Sequence, residues 1–141
     1  MQEAVSAGAD VIISGAGLPM NLPELIGKSS VKIAPIVSSR RATQLILKMW
    51  AHRYGRTADF IVVEGPKAGG HLGFSREQLA DMENLDYDAE IKDIISCKKI
   101  YEEMFNTKIP VIVAGGIFDR QDIDHVIELG ADGVQIASRF V

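Results

Sequence analysis

Residues 65–74, GPKAGGHLGF, place His71 behind the pair Gly69-Gly70, just after an apolar run that ends in Glu64. An imidazole titrates near neutral pH, so at the mouth of a pocket it can take up or hand over a proton. Glycine lets the main chain come close to a ligand and leaves N–H groups aimed at it, which suits a phosphate or a flat aromatic ring. Gly15-Ala16-Gly17 and Gly115-Gly116 have the same character, and each also follows an apolar run. Any one of these pairs by itself reads better as a tight turn with no ligand; three on one face shift the balance toward a site. Glu64 either faces that site or hydrogen-bonds backbone amides. Lys67 either meets an anion or is solvated. His52 and His125 lie in helical patterns among polar neighbours and read as solvated, and Arg139 reads as a structural ion-pair partner.

The elements that must position these residues follow from hydrophobic periodicity. Five short apolar runs rich in β-branched residues read as buried strands of a parallel sheet, at 9–15, 31–37, 58–64, 109–115 and 131–137. Ala42, Leu45, Ile46, Met49 and Trp50 draw one apolar stripe along a helix that Gly55 ends. Ile91, Ile94, Ile95, Tyr101, Met104 and Phe105 make a second stripe, in a helix expected to be capped by Asp88. A third helix starts near Asp119 or Asp122, presents Ile123, Val126 and Ile127, and stops at Gly130.

Gly-Ala-Asp introduces a strand twice, at 8–10 and 130–132, and Thr57-Ala58-Asp59 does similar work. This recurring unit fits a barrel or an open doubly wound sheet, and periodicity alone does not choose between them. The spacing is broken only between 64 and 109. There Ser75 and Gln78 have the spacing of a capping box, so a short extra helix is predicted to start at Arg76.

Composition narrows the function classes. The chain has 141 residues, of which 47% are hydrophobic, enough to bury the core of one ordinary domain. A formal charge of −4, with Lys and Arg scattered singly, offers no basic stripe for nucleic acid. The single cysteine, Cys97, lies among apolar residues and reads as a buried, inert thiol, with no multi-cysteine metal site. No apolar run approaches the roughly 20 residues of a membrane span, and the N-terminal residues have no basic stretch followed by an apolar core. A cytoplasmic protein acting on a small molecule is the expectation.

The segments EGPKAGGHLG (64–73), IPVIVAGGI (109–117), LGADGVQIASRF (129–140) and GADVIISGAGLP (8–19) together resemble the nitronate monooxygenase family, formerly called 2-nitropropane dioxygenases. They also resemble the related FMN-dependent enoyl-ACP reductases. The resemblance implies an α/β fold of the TIM (β/α)8-barrel type, with the five strands as strands four to eight. A full barrel takes about 250 residues. Residues 1–141 are therefore expected to form one partial barrel domain, starting in the helix before strand four.

The resemblance further implies FMN as cofactor, and no metal site is expected. It assigns the FMN phosphate to Gly115, Gly116, Ala137 and Ser138, where the family more often has Gly-Thr than Ala-Ser. Glu64, Ala68, Gly69, Gly70 and Gln135 become further cofactor contacts, and His71 the catalytic base that removes an acidic α-proton or hydrogen-bonds the resulting nitronate. Lys67 stands where the reductase pattern often has glutamate. The implied substrate is a nitronate or an enoyl thioester. An open five-strand sheet exposes two edges, so self-association into a homo-oligomer is expected, and a catalytically silent association module is the alternative to an enzyme.

Overall fold

The computed structural model describes residues 1–69 and 73–140. The five apolar runs form five strands, somewhat shorter than their hydrophobic runs: β1 Val11–Ser14, β2 Lys32–Val37, β3 Ile61–Glu64, β4 Val111–Ala114 and β5 Gly133–Gln135. All neighbours are parallel and the sheet order is β1-β2-β3-β4-β5. Each strand pairs with the next one in the chain, and at no point does the order reverse. A doubly wound sheet needs such a reversal, whereas a barrel does not. The sheet is thus a run of consecutive units of a (β/α)8 barrel.

Alternation along each strand divides the sheet into two faces. Ile12, Ile33, Val37, Ile61, Val63, Val111 and Val113 belong to one buried cluster that also takes in Ile46, Leu47 and Trp50 of α3 (Arg40–Tyr54) and Ile91 and Ile94 of α5 (Tyr87–Phe105). Val126 of α6 (Arg120–Glu128) joins the same cluster. The opposite face, which becomes the barrel interior, carries Ile13, Ala34, Ile36, Val62, Ile112 and Gly133 in paired register. Val62 is fully buried there, yet Val11 and Ile13 on the edge strand remain 45% exposed.

The helix ends follow local chemistry. Ser39 caps α3 by accepting the Ala42 N–H, and Gly55 closes it in the left-handed conformation at φ 59°. Asp119 and Asp122 form a capping box at the start of α6, and Ser75 and Gln78 form the expected one at α4 (Arg76–Ala80). The cap of α5 is Asp86, which accepts the Ala89 N–H at 2.9 Å; it is not Asp88. The carboxylate two residues earlier reaches the free amides of the first turn, and Asp88 is left to pair with α6. Two short helices, α1 (Gln2–Ser6) and α2 (Leu22–Ile26), precede β1 and β2.

The helical stripes hold at their centres, where Ile46, Trp50, Ile91, Ile94 and Val126 are buried, and shift only at their margins. Leu45, Met104 and Ile127 are exposed, while Thr43, Leu47 and Lys98 turn inward. Lys98 is tolerated because Glu102 pairs with it at 2.7 Å and also accepts the Ile109 N–H at 2.8 Å, joining α5 to the start of β4. Burial pushes the Cys97 thiol up to about 11, which keeps it protonated and inert as expected.

The recurring Ala-Asp pair also acquires a physical meaning. Asp59 donates its N–H to the Ile33 carbonyl and accepts the Ile33 N–H on its carboxylate at 2.8 Å. Asp132 makes the same reciprocal exchange with Val111, its carboxylate accepting at 2.8 Å. In both cases the aspartate that opens one strand locks the start of the preceding strand.

Candidate functional site

At the other end of the strands the register brings Glu64, Ala114 and Gln135 into one row across β3, β4 and β5. This row lies on the face turned away from the helices. It floors a cavity of about 240 Å3 whose walls are Lys67, Ala68 and Gly69 on one side and the turn from Gly115 to Phe118 on the other, with Ala137 beyond Gln135. Residues far apart in sequence, Glu64, Ala68, Gly69, Gly115, Gly116, Gln135 and Ala137, thus surround one space.

Two features explain how the walls come together. Gly115 and Gly116 both take positive φ, 87° and 82°, a conformation that side chains disfavour. A Cβ on Gly115 would also stand 2.8 Å from the Ala68 Cβ, and one on Gly116 would stand 3.0 Å from the Lys67 side chain. Only glycine lets the two turns touch. Among the described residues the Gly115 and Gly116 N–H groups donate to no acceptor, leaving two consecutive amides free.

The third glycine segment contributes differently. Ala16 and Gly17 line a neighbouring cavity of about 240 Å3 together with Ser38 and Gly73, and Glu64 faces both cavities. The three segments share a rim but not a single pocket. The loop carrying Ala16 is held by the Trp50 indole N–H, which donates to the Pro19 carbonyl at 3.1 Å.

Glu64 accepts no hydrogen bond among the described residues, so it faces the cavities rather than tying down backbone amides. Burial pushes its carboxyl above the ordinary glutamate range. Lys67 is exposed, with its aliphatic stem against Gly116. Ser138 opens a short 3-10 turn, Ser138–Phe140, and Arg139 there is exposed and forms no ion pair among the described residues. Gly70 and His71 lie outside the described residues.

Of the other histidines, His52 is exposed as expected. His125 is exposed too, but it is not merely solvated: its Nε2 lies 3.0 Å from Asp88 and joins α6 to α5. No sequence signal marked that pair, because its members stand on different helices. Tyr87 was also missed. It is the first residue of α5, its hydroxyl is buried with no partner, and its ring packs beneath the loop that leaves Glu64. Burial, then the nearby charges of Glu64 and Glu90, hold its phenol above the ordinary tyrosine range. Among the described residues no cluster of His, Cys, Asp and Glu can hold a metal ion, and no helix is long and apolar enough to cross a membrane.

Comparison with known proteins gives a consistent result. The family model described as nitronate monooxygenase matches residues 1–141. A probable nitronate monooxygenase from Staphylococcus aureus is 36% identical over 86 residues, which are 59% of this chain and 21% of that relative. Among solved structures, FabK from Thermotoga maritima is similar with a TM-score of 0.70 and 25% identity, covering 98% of this chain and 36% of FabK. Nitroalkane oxidase from Streptomyces ansochromogenes shares the fold with a TM-score of 0.68 at 19% identity, over 96% of this chain and 35% of its own. The chain therefore spans about a fifth of the curated relative and little more than a third of either solved chain.

Proposed function

The chain belongs to the nitronate monooxygenase family, and on that premise we propose that residues 1–141 act as one domain of an FMN-dependent oxidoreductase that oxidises alkyl nitronates with oxygen. The observation that carries this reading is the rim cavity, in which two touching glycine turns stand over the row Glu64, Ala114, Gln135. Its residues fit the cofactor. Two consecutive free amides at Gly115 and Gly116 suit a phosphate, and a Cβ on Gly69 would meet nothing within 4 Å, so the main chain there is open to a flat ring.

In this reading Gly115, Gly116, Ala137 and Ser138 hold the FMN phosphate with main-chain N–H groups. Ala68, Gly69 and Gly70 would serve as contacts to the ring, and Glu64 and Gln135 would offer it hydrogen-bonding groups. When bound, FMN supplies the redox chemistry by accepting an electron from the nitronate. His71 takes the acidic α-proton of a nitroalkane onto its imidazole, or donates a hydrogen bond to the nitronate already formed. A second reading, reduction of an enoyl thioester with NAD(P)H, is favoured by the resemblance of residues 64–73 to the FMN-dependent enoyl-ACP reductases. The protein is read as cytoplasmic and as a homo-oligomer that covers its exposed β1 edge, Val11 and Ile13.

The test is reconstitution with FMN followed by oxygen uptake on an alkyl nitronate. One bound FMN per chain and nitronate-dependent uptake are expected, with His71→Ala slowing turnover of the neutral nitroalkane about 100-fold. NAD(P)H oxidation coupled to a crotonyl thioester transfers the assignment to the second reading. A colourless, monodisperse protein that takes up no FMN leaves only a silent association module.

A further inference from the structure

We propose that Tyr87 is a positioning residue for the rim cavity: its ring clamps both ends of the 65–74 loop against the start of α5. The assignment of a purpose to this clamp rests on the FMN reading above, but the clamp itself rests on geometry. At the first end, a Cβ on Gly65 would lie 2.9 Å from the Tyr87 Cε1 and 3.3 Å from Cζ, so the ring occupies the place of the missing side chain. At the second end, the Phe74 ring meets the Tyr87 ring edge to face, with centroids 6.1 Å apart and planes at 68°. One aromatic side chain therefore touches the loop where it leaves the sheet and where it returns.

The first contact is connected to the cavity wall. The Gly65 N–H donates to the Ala114 carbonyl at 2.9 Å, and the Gly65 carbonyl accepts the Ala68 N–H at 3.0 Å. Ala68 in turn abuts Gly115, the first of the two glycines with free amides. Displacing the ring thus moves the turn that fixes Ala68 and Gly69 against the opposite wall. The return end has a second tie, since the Ser38 hydroxyl donates to the Gly73 carbonyl at 3.3 Å. Tyr87 can act as an anchor because it is itself fixed: it opens a helix of 19 residues whose cap, Asp86, is engaged.

The ring does this, and the hydroxyl does not. The Tyr87 oxygen is buried and makes no hydrogen bond among the described residues. A buried hydroxyl without a partner costs free energy, so its removal should be neutral or favourable. Tyr87→Phe and Tyr87→Ala therefore separate the two roles, and Phe74→Ala breaks the second contact without entering the core.

The experiment measures amide hydrogen exchange across 65–69 and the FMN dissociation constant in the wild-type chain and these variants, with the α3 amides reporting the global fold. Tyr87→Phe should match wild type in both. Tyr87→Ala should speed exchange at the Gly65 and Ala68 amides and weaken FMN, each about tenfold or more, with α3 still protected. Phe74→Ala should act in the same direction, and the double variant should be less than additive. Should Tyr87→Ala unprotect α3, Phe74→Ala decides alone. The proposal is overturned if Tyr87→Phe behaves like Tyr87→Ala, or if neither alanine variant changes exchange in the loop. A wild-type chain that binds no FMN would defeat the functional reading while leaving the exchange measurement to judge the clamp.

Discussion

The two ends of the sheet are built on opposite principles. Where the strands begin, polar groups are spent on one another: Asp59 receives the Ile33 N–H, Arg56 and Lys32, Asp132 receives the Val111 N–H, and Glu102 receives Lys98 and the Ile109 N–H. Where the strands end, glycines bring turns into contact while Glu64 and the amides of Gly115 and Gly116 are left without partners among the described residues. Satisfied groups hold the chain together, and unsatisfied ones are available to a ligand. The division is not complete, because the Ser29 and Thr57 hydroxyls near the strand starts are also buried without partners. It is nevertheless strong enough that substitutions at the two ends should fail in different ways.

The largest effect is expected from Glu102→Ala, which strands the buried Lys98 ammonium and the Ile109 N–H; it should cost about 3 kcal/mol of stability in denaturant unfolding. Asp59→Ala should follow at about 2 kcal/mol, since its partners are less deeply buried. Neither should alter FMN affinity in the protein that remains folded.

These two carboxylates also predict an acid limb. Burial alone would raise Asp59, but the Ile33 amide, Arg56 and Lys32 hold it below the ordinary range; Glu102 is likewise held below by Lys98 and the Ile109 amide despite burial. A depressed carboxyl contributes its stability above its unfolded pKa and loses it as pH falls through the folded one. Stability should therefore start to fall as pH enters the ordinary carboxylate range, go on falling below it, and fall less steeply in either variant.

At the rim, Gly115→Ala meets both the positive φ and the Ala68 contact, and should cost about 1 kcal/mol of stability but at least about tenfold in FMN affinity by titration. The smallest effect, and of opposite sign, belongs to Glu64→Gln. Burial raises this carboxyl, so above its folded pKa the ionised form destabilises the native state. The variant should melt higher at neutral pH, by less than about 4 °C, and the gain should vanish as pH falls below the ordinary glutamate range. If Glu64→Gln lowers stability at neutral pH instead, the rim carboxylate has a partner and the contrast between the two ends weakens.

Much of this was legible in the residues. Runs such as IPVIVAG and ADFIVVE specify strands because β-branched side chains buried on both faces suit a parallel sheet, and the glycines after them marked the rim. The capping box at Ser75 was readable because both partners lie within one turn, whereas at α6 the residues gave only a start near Asp119 or Asp122, which the structure resolves into a second box formed by both. The cap of α5 was misplaced by two residues, since Asp86 and Asp88 offer the same chemistry and only the chain path decides which reaches the amides. The helical stripes were right at their centres and missed their margins for a related reason. Lys98 is a surface residue by type, and becomes an interior one only because Glu102 travels with it.

Sequence by itself determined the strand and helix types, the positions where glycine frees the main chain, and the family to which the chain belongs, because each depends on local periodicity or on short ordered motifs. Tertiary structure alone decided between a barrel and a doubly wound sheet, since strand order is a matter of which edge each crossover returns to. It alone set Glu64 and Gln135 in one row, placed Ala68 against Gly115, and put the Tyr87 ring under Gly65 and Phe74. Those contacts join residues from 13 to 71 positions apart, and the register of parallel strands, fixed by packing over the whole sheet, brings the more distant of them within reach.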